Sequence, residues 1–243
     1  MVKFIVFCTK MIIATIVALL FTSCNQVFNG IKGNGNVQTE KRNITEKFTK
    51  ISVNRGLEVI VEQSDNISVE VEADQNLLSH ITTKVENGTL VVSSDENIYS
   101  AESETVTVKM PNLEGLESSS GSNIKSTNTL KGVSLDAKAS SGSEIELTAE
   151  YDNIVTESTS GSTITLSGKA LKLSTASSSG SDIDASGLLA NEVFAQSTSG
   201  SSTDVHPLVS LNAKASSGAS IEYGGKPKNI SKEETSGGSV SNN

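Results

Sequence analysis

The sequence has no tryptophan, two cysteines, two histidines and three prolines in 243 residues, and aromatic residues make up only 4% of it. So few aromatic side chains leave no obvious platform on which a sugar or a nucleobase could stack. Its only arginines are Arg42 and Arg55, and the formal net charge is −9. An acidic chain with little arginine does not suit phosphate-rich partners, so no nucleic acid partner is expected.

The two cysteines cannot form a disulfide in a mature, exported protein. Cys8 lies in a segment with two lysines and an apolar run at 11–21, which predicts a secretory signal peptide over residues 1–23. The letters LFTSC at 20–24 resemble a bacterial lipobox, which implies that Cys24 is acylated and becomes the first residue of the mature chain. Several acyl chains at Cys24 would anchor the protein stably in a membrane. The alternative is an ordinary signal peptide cleaved nearby, without a tether.

A short phrase recurs from Ser118 to the C-terminus: a Ser/Thr pair, a glycine, a polar residue, and then a β-branched or apolar residue. It reads SSGSNI at 119–124 and SSGSEI at 140–145. The glycines of the phrase are Gly121, Gly142, Gly161, Gly180, Gly200, Gly218 and Gly237. They follow one another at intervals of 18 to 21 residues. A fixed period this short predicts a solenoid.

Between the glycines, apolar and polar residues alternate, which is typical of strands with one buried face. The apolar members include Val133, Leu135, Ala137, Ala139, Leu171, Leu173, Val209 and Leu211, and all of them are expected inside. Each glycine fits a corner that requires a positive φ, because glycine has no Cβ to oppose it. The pattern predicts an all-β protein, a parallel β-helix with about 19–20 residues per coil.

The chain divides into four parts. The signal peptide is followed by a lipidated N-terminus and flexible linker at 24–45, which is polar and contains glycine and asparagine. Residues 46–117 form a separate N-terminal β part with irregularly spaced strands, including a hairpin signal at Asn87-Gly88. Residues 118–240 carry the Ser-Gly repeats.

The order of the strand segments, followed by Ser-Gly-Ser-x-Ile turns, resembles the head GIN domain family. The segments that carry the resemblance are Phe48–Val53, Leu57–Gln63, Val69–Asp74 and Val106–Pro111. This family is common among Bacteroidetes lipoproteins, and its label as an autotransporter adhesin is itself an analogy. The resemblance covers about residues 46–240 and implies a right-handed β-helix, preceded by an irregular N-terminal β segment, on an exported protein. It implies no established biochemical activity.

Catalytic and metal-binding chemistry have little support in the sequence. His80 and His206 lie in different regions, and neither is near a distinctive serine motif that would need a base. Carboxylates follow the corners at Glu144, Glu146, Asp182, Asp184, Asp204 and Glu222, and they are expected to stack as a solvated acidic face. A weak calcium site at Asp182 and Asp184 stays open, whereas zinc would need a His/Cys cluster. No catalytic residue, cofactor or metal site is predicted.

The sequence therefore favours a non-enzymatic envelope lipoprotein that presents a Ser/Thr-rich, acidic face to a protein or glycan. The alternative is a periplasm-facing structural or accessory lipoprotein without an external ligand, and a β-helix enzyme acting on polysaccharides is the third hypothesis. Surface-directed Bacteroidetes lipoproteins tend to carry acidic residues just after the cysteine, and residues 25–29 have none. This favours an outer membrane lipoprotein on the periplasmic face over the cell surface.

Overall fold

The structure is a computed structural model that describes residues 10–11 and 30–243. Every bounded element between residues 30 and 243 is a β-strand. Within the described residues, no helix is both long and apolar enough to cross a membrane. Apart from Lys10 and Met11, the expected signal peptide at 1–23 lies outside the described residues, and so does the expected lipidation site Cys24.

Nine strands precede the repeats. They are β1 (Ile31–Lys32), β2 (Val37–Arg42), β3 (Lys50–Val53), β4 (Glu58–Gln63), β5 (Ser68–Asp74), β6 (Ile81–Glu86), β7 (Thr89–Ser94), β8 (Ile98–Ser100) and β9 (Glu104–Met110). The expected hairpin at Asn87-Gly88 joins β6 to β7, and both turn residues have positive φ. β2 pairs antiparallel with β5, and β5 with β9.

Strand β2 corrects the expectation of a flexible linker at 24–45. All six of its residues pair with β5. All of its side chains except Val37 are polar, and almost all of them, Val37 included, are exposed, so backbone pairing alone holds the strand in the sheet. A strand without a buried face leaves no hydrophobic alternation in the sequence, and for that reason the pattern did not reveal it.

Ten strands form the repeat half. They are β10 (Gly115–Ser118), β11 (Asn123–Ser126), β12 (Leu130–Ala139), β13 (Glu144–Thr159), β14 (Thr163–Ser178), β15 (Asp182–Ser197), β16 (Ser202–Ser216), β17 (Ser220–Tyr223), β18 (Asn229–Thr235) and β19 (Ser239–Asn242). Successive coils pair in parallel, so that Ile145, Ile164 and Ile183 lie above one another. The predicted parallel β-helix is confirmed.

The column of coils begins earlier than the repeated phrase. β10 pairs in parallel with both β12 and β3, and β11 with both β13 and β4. β3 and β4 therefore form a coil within the expected N-terminal part. Its corner is Arg55-Gly56, with φ of 65° and 81°. Because arginine stands where the later corners have serine, the phrase cannot be recognised there.

Each long coil has a second change of direction, which we call the bend. In β13 the alternation of buried and exposed residues is interrupted at Asp152-Asn153, where two consecutive residues face outward. Val133, Leu171 and Val209, which were expected inside, lie near the bends and are 68%, 51% and 44% exposed. The expectation was wrong because it extended a single alternation of inward and outward residues across the bend, where two consecutive residues face outward and the alternation starts again.

Candidate functional site

The repeated Ser-Gly phrase forms a tight turn at each corner. In one coil, Ser160 and Gly161 have φ of 56° and 70°, and the N–H of Ser162 donates to the carbonyl of Thr159 over 3.3 Å. Two consecutive positive φ angles define a type I′ turn. All seven glycines of the phrase have φ between 67° and 79°, and each preceding serine lies between 49° and 57°. No local pattern indicated that these serines also adopt the left-handed conformation.

Hydrogen bonds join the corners into a ladder. The N–H of Gly161 donates to the carbonyl of Ser179 in the next coil over 3.3 Å, and equivalent bonds run from Gly56 up to Gly218. The buried hydroxyl of Ser162 donates to the carbonyl of Ala139 in the coil below and accepts from the N–H of Thr159. These groups already have partners inside the column, so the repeated phrase has a structural use.

The structure brings together four of the six carboxylates that follow the corners. Asp184, Asp204 and Glu222 are neighbours on successive coils, with Asp182 beside them. Burial, and repulsion from Glu222, Asp184 and Asp182, raise the pKa of Asp204 above its ordinary value. Glu144 and Glu146 are separated from this group by threonines of β14. Among the described residues, no three acidic, histidine or cysteine side chains form a group that could hold a metal ion.

The two histidines do not complete a nucleophile and base pair. His80 Nδ1 lies 2.9 Å from Asp95 Oδ1. Between residues 30 and 243, no serine or threonine hydroxyl is hydrogen-bonded to His80 or His206, the contact that serine activation requires.

A different surface stands out along the bends of successive coils. Seven large apolar side chains are exposed there by 38% to 68%: Val133, Val155, Leu171, Leu189, Phe194, Leu208 and Val209. We call this surface the bend face. Other exposed large apolar residues in the range 30–243 are Val37, Ile67 and Tyr99 in the N-terminal half, and Ile230. Ile230 occupies the register position of the buried Leu211 and is exposed because it lies at the C-terminal end of the column. A long apolar band on a mostly polar column is typical of an interaction site.

Three grooves follow the bend face. One, of about 730 Å³, is lined by Val133 and Val155 at the N-terminal end of the band. The other two lie at its centre, and the larger of these, of about 530 Å³, lies between two outward columns of side chains. One column is Asn153, Lys172, Glu192, Ser210 and Asn229, and the other is Val155, Ser174, Phe194, Asn212 and Ser231. The smaller groove, of about 410 Å³, is lined by Leu171, Leu189 and Leu208 together with the charged Glu150, Asp152 and Lys169.

Charged groups beside the grooves pair with one another. Lys172 Nζ lies 3.5 Å from Glu192 Oε2, and Lys131 Nζ lies 2.9 Å from Glu150 Oε2. A hydrogen bond from Lys131, together with its positive charge, holds the pKa of Glu150 below its ordinary value. The grooves therefore favour a partner surface that is apolar and carries few unpaired charges.

Sequence reasoning predicted a Ser/Thr-rich acidic face and missed the bend face. Three residues of the bend face, Val133, Leu171 and Val209, were assigned to the core, because alternation was the only signal used. A pair such as Leu208-Val209, in which two adjacent apolar residues cannot both face inward in one strand, was the available clue.

Comparison with known proteins shows where this geometry recurs. The family described as "Putative auto-transporter adhesin, head GIN domain" matches residues 47–227. A crystal structure of a "putative adhesin" from Bacteroides fragilis covers 88% of this chain and 100% of its own, at 21% identity and a TM-score of 0.82. A "putative lipid binding protein" from Parabacteroides distasonis covers 88% and 99%, at 20% identity and a TM-score of 0.73. At these identities the likeness concerns the fold alone. No functionally curated protein matches the chain.

Proposed function

We propose that this chain, which belongs to the head GIN domain family, is a non-enzymatic binding module of the bacterial envelope and binds its partner through the bend face. The observation that carries the proposal is the band of seven exposed apolar side chains along successive coils. The adhesin description of the family agrees with a binding function.

The bend face is a better binding surface than the Ser/Thr-rich acidic face that the sequence favoured. The corner amides and the buried serine hydroxyls already bond within the column. The carboxylates around Asp204 repel one another, and removing them from water under a partner would cost free energy. By contrast, covering apolar surface contributes about 25 cal/mol for each Å² removed from water. Docking on the bend face therefore gives a partner the most favourable binding free energy.

We further propose that a lipid at Cys24 holds the module at the outer membrane. The N-terminal segment is fixed to the column by Asp74, whose carboxylate accepts backbone N–H bonds from Gly35 and, over 2.7 Å, from Glu102. This contact lies at the end of the column opposite β18. An anchor joined to this end would let the repeats project away from the membrane. The variant Cys24→Ala should leave the membrane fraction while retaining its fold.

Lipid binding is a second candidate function. Leu171, Leu189 and Leu208 in the smaller groove favour it, and one structural neighbour is named for it. Phospholipid vesicles that co-sediment with the unlipidated mature chain, and no longer do so after Leu171→Ser, would support this candidate. Failure to co-sediment would reject it.

Site-specific photo-crosslinking in cells tests the proposed surface. Benzoylphenylalanine is placed at Asn212, which is exposed on the wall of the larger central groove, or at the control position Asp182 on the acidic face. We expect a discrete adduct only from position 212. An adduct only from position 182 would move the site to the acidic face, and the absence of any adduct would refute the proposal.

Protease digestion of an epitope-tagged copy then tests the side of the membrane. Digestion in intact cells would place the column on the surface, as adhesion requires. Protection until the outer membrane is permeabilised would favour the periplasm-facing accessory role.

A further inference from the structure

We infer that the bend face binds a second copy of this chain, placed antiparallel to the first. The inference rests on the proposed function, since it names the partner of the same surface. Three features carry it: the position of the apolar band, the arrangement of one lysine and one glutamate at its centre, and the closed C-terminal end of the column.

The apolar band can be paired with itself in an antiparallel arrangement. It occupies five successive levels of the column, β12, β13, β14, β15 and β16, and each level carries at least one of the seven exposed apolar side chains. At about 4.8 Å per level the band is about 19 Å long. A two-fold axis between β14 and β15, perpendicular to the column, would place β14 on β15 and β13 on β16 of the second copy. Four of the five apolar levels then meet another apolar level.

Charge decides between the antiparallel and the parallel arrangement. Lys172 and Glu192 occupy the same outward column on the neighbouring levels β14 and β15. In the antiparallel pair, Lys172 faces Glu192 of the second copy, and the contact occurs twice. A parallel pair would put lysine against lysine and glutamate against glutamate, and like charges in an interface oppose association. The same axis places Phe194 opposite Ser174 of the second copy, a large side chain against a small one.

The C-terminal end of the column is closed against end-to-end stacking. Lys232 and Glu234 occupy the register positions of Ala213 and Ala215, which are buried in the coil below. Lys232 Nζ donates to the carbonyl of Val240, and Glu234 Oε1 accepts from the N–H of Val240. Charged groups at such inward positions discourage another strand from adding to the edge. A second copy is therefore expected on the side of the column.

Antiparallel pairing would separate the two N-terminal ends. β2 joins the column through β5, β9 and β4, below β11, whereas β18 pairs with β16 at the other end. The two N-terminal ends, each with its proposed lipid at Cys24, would point away from each other. The arrangement therefore suits two copies anchored in membranes that face each other better than two copies side by side in one membrane.

A charge-exchange experiment tests the inference. The mature chain carries Cys24→Ser to remove the lipid site, and its mass in solution is measured by sedimentation over a dilution series. We expect a dimer for this parent protein. Lys172→Glu alone, or Glu192→Lys alone, places like charges across the interface and should weaken the dimer about tenfold or more. An equimolar mixture of the two single variants should restore the dimer.

The mixture separates a contact between chains from the ion pair within one chain. Each single variant has lost its internal Lys172–Glu192 pair, and mixing cannot restore that pair. A mixture that remains monomeric, or a monomeric parent protein, would overturn the inference. Phe194→Ser should also weaken the dimer, whereas Ile67→Ser, a matched change at an exposed apolar residue outside the bend face, should not.

The crosslinking experiment distinguishes failure of this inference from failure of the proposed function. An adduct from position 212 with twice the mass of the chain supports the second copy. An adduct of another mass, with a monomeric parent protein, keeps the bend face as the binding site and rejects the second copy. No adduct at position 212 rejects the proposed surface itself.

Discussion

Replacing Gly161 with alanine tests the type I′ corner directly. Gly161 has a φ of 70°, and a Cβ added there would meet nothing within 4 Å. The substitution therefore adds backbone strain without a steric clash. Holding a residue with a Cβ in the left-handed conformation costs about 1–2 kcal/mol. In a domain of this size, each 1 kcal/mol lowers Tm by about 2–4 °C, so Gly161→Ala should lower it by about 2–8 °C.

Three further variants separate strain from other effects in the same thermal unfolding assay, followed by circular dichroism. Gly161→Asn should lower Tm by less than Gly161→Ala does, because asparagine tolerates the left-handed conformation better than alanine. Ser160→Ala should change stability by no more than about 0.5 kcal/mol, because Ser160 already carries a Cβ at a positive φ and is exposed. Gly168→Ala should lower Tm by more than Gly161→Ala does, because the added Cβ at position 168 would clash with the carbonyl of Ala149. Equal stability of Gly161→Ala and Ser160→Ala would refute the turn assignment.

Three other changes have clear expected outcomes. Ser162→Ala removes the hydroxyl that bonds the carbonyl of Ala139 and should cost about 1–3 kcal/mol in chemical denaturation; no loss would show that the ladder is dispensable. Burial raises the pKa of the Asp74 carboxyl, but backbone N–H donors outweigh it and hold the pKa below its ordinary value. The ionised carboxylate of Asp74 therefore stabilises the fold above its ordinary pKa, and this stabilisation is lost as the pH falls through the lowered pKa. Asp74→Asn should accordingly have a lower free energy of unfolding than wild type at pH 7, and the difference should close in acid. A difference that is constant with pH would contradict this. Lys232→Ala with Glu234→Ala opens the C-terminal end and should produce concentration-dependent chains of columns in light scattering; unchanged mass would show that these charges do not protect the end.

The candidate site was only partly predictable. The acidic residues after the corners were expected to stack, and Asp184, Asp204 and Glu222 do. The bend face was not expected, because its residues come from five levels of the column and become neighbours only once the register is fixed. That register is irregular between β15 and β16, where the coil lengths differ, so counting along the chain cannot align them.

The sequence by itself determined the solenoid, because a repeated glycine and strict alternation are local requirements of a corner and of a half-buried strand. Only the tertiary structure decided where the column begins and which apolar residues stay outside. Arg55-Gly56 forms a corner through its pairing with the coil above, and β2 is a strand only because β5 lies beside it. Leu171 faces solvent because a bend precedes Leu173. Such features depend on contacts between segments distant in the sequence, and no local pattern records those contacts.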